Sequence, residues 1–201
     1  MIPSILECIK IMDRYGMLDN IKAHSIMVTK VAYIISYELI DQGNTISMQK
    51  VLAGALLHDI GKTEALRSGK DHTKIGVEIC IDNGFHEVAE IVAEHVILKK
   101  FSPKYPYTEK EIIYYSDKRV NHDKVVSLEE RLHYILERYS KGDQKMSKVI
   151  RKNFELCKKV EEKLFKNITF SPNELVHLVN KISFDTQKGL IGWYKNIGYF
   201  H

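Results

Sequence analysis

The stretch Leu52-Ala53-Gly54-Ala55-Leu56-Leu57 is small and apolar throughout, and it ends abruptly in His58-Asp59-Ile60-Gly61-Lys62. A helix that is apolar on every side belongs inside a protein. This one therefore carries an imidazole and a carboxylate to the edge of the interior, where an unpaired charge is costly. Two arrangements resolve the conflict. In one, the pair ends a helix, with Gly61 as the cap and His58 and Lys62 at the negative end of the macrodipole. In the other, the lone pairs of both groups face a divalent metal. The dipeptide alone leaves both open.

The rest of the chain reads as helix after helix. Residues 3–15 place Ile5, Leu6, Ile9 and Met12 at helical spacing, and 21–41 does the same with Val28, Val31, Ala32, Ile35 and Leu39. Ser47 is a candidate cap for the helix leading to His58, and Asp71 for the next, which Gly84 ends. Helices are expected over 85–98 and 109–120. Ser127-Leu128-Glu129-Glu130 and Ser171-Pro172-Asn173-Glu174 are capping boxes that open helices to about 139 and 182. A long charged helix fills 143–167. Between His95 and residue 109, two prolines in Lys99–Tyr107 deny that span a helix. Strand signals are nearly absent, so the fold class is all-α.

At 201 residues, the chain suits one domain with a small extension. The best boundary is Ser140-Lys141-Gly142-Asp143, dividing a domain over 1–140 from an extension over 141–201. The extension is expected to pack back on the domain or to form a homodimer contact. No apolar run reaches the roughly 18–20 residues of a membrane helix, and no leader pattern opens the chain. Cys8, Cys80 and Cys157 are odd in number and far apart, which fits a reducing cytoplasm. The net charge of +4 favours an anionic ligand. Residues 141–168 are basic, but the aromatic interleaving of a single-strand binder is missing, so nucleic acid is not an expected partner.

Four further polar residues stand on predicted helices among apolar neighbours. His24 lies at the start of the long helix and His72 opens the helix after the central motif. His95 lies late in 85–98, and Asp117 lies within 109–120. Taken singly, each is more simply a cap or a surface pair. Taken together, they are one ligand each from several helices, which is how helical bundles assemble metal sites.

In that pattern the chain resembles the HD superfamily of metal-dependent phosphohydrolases. His24, His58-Asp59 and Asp117 resemble its His…His-Asp…Asp signature, and His58-Asp59-Ile60-Gly61 matches the HDIG subgroup letter for letter. His72 in His72-Thr73-Lys74-Ile75-Gly76-Val77-Glu78 and His95 resemble that subgroup's additional histidines. The resemblance covers about 20–140 and implies a bundle of five or more core helices around a buried site. On that reading His24, His58, Asp59 and Asp117 hold one divalent transition metal, and His72 and His95 a second, with Asp59 bridging. Fe, Mn, Zn, Ni and Co all suit such donors. His95 is followed by Val96 rather than a second histidine, and no Gly-Tyr-Pro motif is present. Both features argue against the cyclic-dinucleotide branch.

The implied activity is hydrolysis of a phosphate ester or anhydride, as a phosphomonoesterase or phosphodiesterase, on a small phosphorylated substrate such as a nucleotide. Asp59 orients the nucleophilic water and Lys62 grips a phosphate oxygen. Arg119 either does the same or forms a structural pair. The loop after His95 either lies at the mouth of the site, with Lys99 and Lys104 on phosphates and Tyr105 on a base or sugar, or is a surface loop with no ligand role. Two other functions stay open: a di-iron oxygenase, which shares the ligand pattern, and a non-catalytic nucleotide sensor, against which the complete ligand set argues.

Overall fold

The computed structural model describes residues 1–104, 106–184 and 187–197, the last stretch without the side chains of 187 and 194–197. Helices dominate: α1 (Ile5–Arg14), α2 (Asp19–Asp41), α3 (Met48–Leu57), α4 (Lys62–Ser68), α5 (His72–Asp82), α6 (His86–Val92) and α7 (Glu109–Lys118). A two-stranded hairpin follows, β1 (Val120–Asn121) and β2 (Lys124–Val125), and then α8 (Leu128–Ile135), which continues as a π-helical turn over Leu136–Ser140. The chain closes with α9 (Gln144–Leu164), a 3-10 turn (Pro172–Glu174), α10 (Leu175–Val179) and α11 (Gln187–Ile197).

The helix starts are local chemistry. Ser4, Thr108 and Ser127 each close a full capping box, with Glu7, Glu111 and Glu130 returning the bond. Ser47 and Asp71 cap α3 and α5 through single side-chain acceptors. The predicted helix over 85–98 is shorter than expected. It ends at Val92, and His95 stands in the turn beyond it. The helix expected to 182 is a 3-10 turn and the short α10.

Helix α3 is the axis, with every residue from Val51 to Leu57 buried. On one side α2, α7, α9 and α10 share a core that includes Val31, Ile35, Ile113, Tyr114, Phe154 and Leu164. On the other side α1, α5, α6 and α11 build a second around Met12, Leu56, Ile60, Val88 and Phe184. The residues after Gly142 therefore pack back on the bundle: α9 buries Ile150, Phe154, Cys157, Val160 and Leu164 in the first core. Trp193 meets Tyr33 edge-on at 4.7 Å, and Phe184 at 4.6 Å. The remaining tail aromatics, the side chain of Tyr194 with Tyr199 and Phe200, lie outside the described residues.

Arg119 ties these parts together. Its Nε donates to the Val126 carbonyl, one terminal nitrogen donates to the Tyr115 hydroxyl and pairs with Glu161, and the other reaches the Pro172 carbonyl. One buried side chain thus pins α7, the hairpin exit, α9 and the 3-10 turn.

Candidate metal centre

The C-terminal end of α3 opens between the two cores, and there the chain turns sharply. His58 still has helical backbone angles, and the Lys62 amide already donates to the Asp59 carbonyl as α4 begins. Gly61 permits the next step. A β-carbon on it would stand 2.3 Å from the His72 carbonyl oxygen and 2.5 Å from the Gly76 amide nitrogen. A β-carbon on Gly76 would stand 2.8 Å from a Val92 methyl group and 3.5 Å from the Gly61 amide nitrogen. These two glycines let the turn after α3 touch the start of α5, which brings His72 up to Asp59.

Six donors from six places in the chain meet here. His24 comes from α2, His58 and Asp59 from the end of α3, His72 from the first position of α5, His95 from the turn after α6, and Asp117 from the last turn of α7. Asp59 divides its two oxygens. Oδ2 faces His58 Nε2 at 3.5 Å and His24 Nε2 at 3.9 Å. Oδ1 faces His72 Nε2 and His95 Nε2, both at 3.6 Å. Asp117 Oδ1 closes the first group, 3.0 Å from His24 Nε2 and 3.6 Å from His58 Nε2.

The backbone aims the imidazoles. Nδ1 of His24, His58 and His95 lies 2.7–2.8 Å from the carbonyls of His122, Ala55 and Val92. A carbonyl only accepts, so Nδ1 carries the proton and Nε2 turns inward. Among the described residues nothing hydrogen-bonds the buried Nε2 of His58. Nε2 of His72 and of His95 stand 3.2 Å apart, and with the His95 proton on Nδ1 that nitrogen can only accept. Donors held about 2.1 Å from one tetrahedral ion are about 3.4 Å from each other. The spacing and the unpartnered His58 Nε2 therefore fit two adjacent divalent cations, one within His24, His58, Asp59 and Asp117, the other within Asp59, His72 and His95. Among the described residues no cysteine enters either group; all three thiols are buried and free.

Charge at the site is arranged to match. Burial works to raise Asp59, but His58, Lys62 and His95 hold its carboxyl well below the usual range. Burial also works against Asp117, and His24, His58 and Lys118 overcome it. Burial pushes the His72 imidazole down to about 4, so it is neutral at pH 7. For His58 burial is outweighed by Asp59 and Asp117, which draw its titration upward. A divalent ion would take the place of that proton.

Three cations border the donors. Lys62 Nζ lies 2.7 Å from Asp59 Oδ2. Lys118, which is buried, donates to the His95 carbonyl and sits 3.8 Å from Asp117 Oδ2. Arg131, from α8, is 4.0 Å from Asp117 Oδ1. Lys118 is the chain neighbour of Asp117 and the ion-pair partner that adjacency suggests. Arg131 follows Asp117 at a distance along the chain that carries no signal until α7, the hairpin and α8 are folded.

Other expected substrate residues lie elsewhere. Arg119 is not at the metal centre, because its donors are engaged in the clamp described above. The described residues of the loop after His95 are held by Glu94 at one end and by Lys163 of α9 at the other. Lys163 Nζ bonds the Pro106 carbonyl and both Glu111 oxygens, and it lies 5.7 and 5.6 Å from the Phe101 and Tyr107 ring centres. The loop thus seals the N-terminal end of α7, where Thr108 stands about 14 Å of helix from Asp117. Lys99 and Lys104 are exposed, and Tyr105 lies outside the described residues.

The family described as HD domain matches residues 21–164, a span that holds all six donors and runs to the end of α9. An uncharacterized protein of Methanocaldococcus jannaschii is 32% identical over 79 residues, covering 39% of this chain and 46% of that one. A tRNA (cytidine(56)-2'-O)-methyltransferase of Thermoplasma volcanium is 31% identical over 96 residues, 47% of this chain and 26% of that protein. The chain thus spans less than half the length of these curated relatives. No solved structure matches. Among the described residues no helix is long and apolar enough to cross a membrane. With the match spanning most of the chain and every donor inside it, this protein belongs to the HD domain family, a superfamily of metal-dependent phosphohydrolases.

Proposed function

We propose that this chain, within the HDIG subgroup, hydrolyses a phosphate ester or anhydride of a nucleotide or similar small molecule, as a phosphomonoesterase or phosphodiesterase. The observation that carries the reading is the Asp59 carboxylate, with one oxygen in each donor group. Divalent ions bound there would supply Lewis acidity and an activated water.

The chain's own groups do the rest. His58 and His95 form the buried floor, while His72 and Lys62 keep side-chain exposures of 28% and 35%. A substrate therefore enters from the side of α4 and α5. Lys62 Nζ, already beside Asp59 Oδ2, is positioned to take a phosphoryl oxygen as well. Two carboxylates face three cations before any metal is counted, and that excess selects an anion. The three buried free thiols support a reducing, cytoplasmic setting.

The test is elemental analysis of the purified protein together with a phosphate-release screen over nucleotides, with added Mn, Fe, Co, Ni, Zn and Mg. About two metals per chain and phosphate release are expected. Bound iron with oxygen consumption and no release would instead identify an oxygenase. Metal or nucleotide binding without either reaction would identify a sensor.

A further inference from the structure

We infer that Arg131 is a phosphoryl-binding residue of this site, facing Lys62 across the donor group of His24, His58, Asp59 and Asp117. The inference rests on the hydrolase reading and names the group that holds its substrate.

Arg131 lies in the first turn of α8 and is nine-tenths buried. A guanidinium has five N–H donors in a flat fork. Here one terminal nitrogen donates to Asn121 Oδ1 at 2.9 Å. The other points at Asp117 Oδ1, but 4.0 Å is too long for a hydrogen bond. Its Nε is buried and has no hydrogen-bond partner among the described residues. The Tyr134 ring, 5.5 Å away, supports the plane of the fork without satisfying its donors. A buried guanidinium whose Nε lacks a partner is costly unless a ligand completes it.

Location identifies the ligand. Asp117 Oδ1, the oxygen Arg131 approaches, is the one that faces His24 and His58. Asp59 Oδ2, the oxygen Lys62 holds, faces the same two imidazoles. The two cations thus border one donor group from its two carboxylates. A tetrahedral oxyanion at that group has oxygens to spare for both, and the arginine fork matches a phosphoryl edge better than an ammonium does. Arg119, two residues past Asp117, has no such opening because the clamp uses its donors.

The experiment measures inorganic phosphate binding to the manganese-loaded protein by calorimetry, with metal content and Tm recorded for every variant. Arg131→Gln should weaken binding about 10- to 100-fold with metal content unchanged. Arg131→Lys, which keeps the charge but not the fork, should fall between. Lys104→Ala should match the wild type. In turnover the Arg131 variants should raise KM more than they lower kcat. Wild-type affinity in Arg131→Gln overturns the inference. So does loss of metal in step with phosphate in both variants, which would make the arginine a support for Asp117. If the Gln variant fails to fold, the Lys variant decides, and wild-type affinity in it overturns the inference. A protein that binds phosphate through Arg131 but hydrolyses no ester would sink the hydrolase reading and leave this subsite standing.

Discussion

His72 and His95 present their Nε2 atoms to each other across 3.2 Å, and Asp59 Oδ1 stands 3.6 Å from both. Nδ1 of His95 is committed to the Val92 carbonyl, and the titration of His72 is pushed down to about 4. The His95 lone pair, the Asp59 oxygen and the neutral His72 imidazole together form a donor set that suits a divalent cation. His72→Ala and His95→Ala should each lose one of two metal equivalents while His24, His58 and Asp117 keep the other. Asp59→Ala should lose both. Two metals retained in both histidine variants, read by elemental analysis, would show that the second group is not a metal site.

Gly61 and Gly69 separate contact from conformation. Gly61 has an ordinary backbone angle but no room, with the His72 carbonyl 2.3 Å from a β-carbon. Gly69 has open space but a φ of +72°. Gly61→Ala should destabilise by about 3 kcal/mol or more and deplete the metal held by His72 and His95. Gly69→Ala should cost about 1 kcal/mol and leave metal content alone. Urea melts and metal analysis of the pair check this, and equal metal content in the two would contradict it.

The acid and base limits of the metal-free protein follow from four groups, Asp59, Asp117, His58 and His72. Asp59 and Asp117 titrate below their ordinary value of 3.8, so their stabilising contribution is complete above that value and disappears as the pH falls through their lowered pKa values. His58 titrates above its ordinary 6.5, so its contribution is complete below 6.5 and is lost as the pH rises through the raised pKa. His72, pushed down to about 4, opposes this, since its contribution is complete above 6.5 and is lost as the pH falls toward 4. After chelation a His72→Ala variant, freed of that opposing group, should therefore melt higher near pH 5.5 than near pH 8.5. Added metal should reverse the order, because binding requires the imidazoles without their Nε2 protons. Thermal melts across pH with and without chelator measure this; a flat profile after chelation would argue against it.

Arg119→Met should remove about 2–4 kcal/mol of stability, since it leaves Glu161, the Tyr115 hydroxyl and two carbonyls without their shared donor. Protein that remains folded should keep its metal. A selective loss of phosphate binding, with stability intact, would return Arg119 to the substrate site.

Charge reversal at Lys99 and Lys104 should leave KM for any phosphorylated substrate unchanged, because their loop covers the far end of α7. A several-fold rise in KM would mean that the loop reaches the metal mouth.

The all-α class, most helix starts and the set of six donors were legible in the chain itself, because each rests on short-range chemistry. Ser4, Ser47, Asp71, Thr108 and Ser127 cap helices through bonds to residues two or three positions away. The donors stand out as polar groups on apolar helices. Tertiary packing decided where each polar residue is aimed. Arg119 and Arg131 are alike as residues, but Arg119 turns toward α9 and the Pro172 carbonyl, while Arg131, carried by the next helix, turns toward Asp117. The loop after His95 folds back because Lys163, from a helix far along the chain, gathers Glu111 and the Pro106 carbonyl around one buried ammonium. The imidazoles are oriented by carbonyls, one of which, His122, lies in a hairpin turn with a φ of +54°. Periodicity within a segment records which face is buried, but not which distant segment meets it or which carbonyl points into the junction. Those depend on how the helices pack.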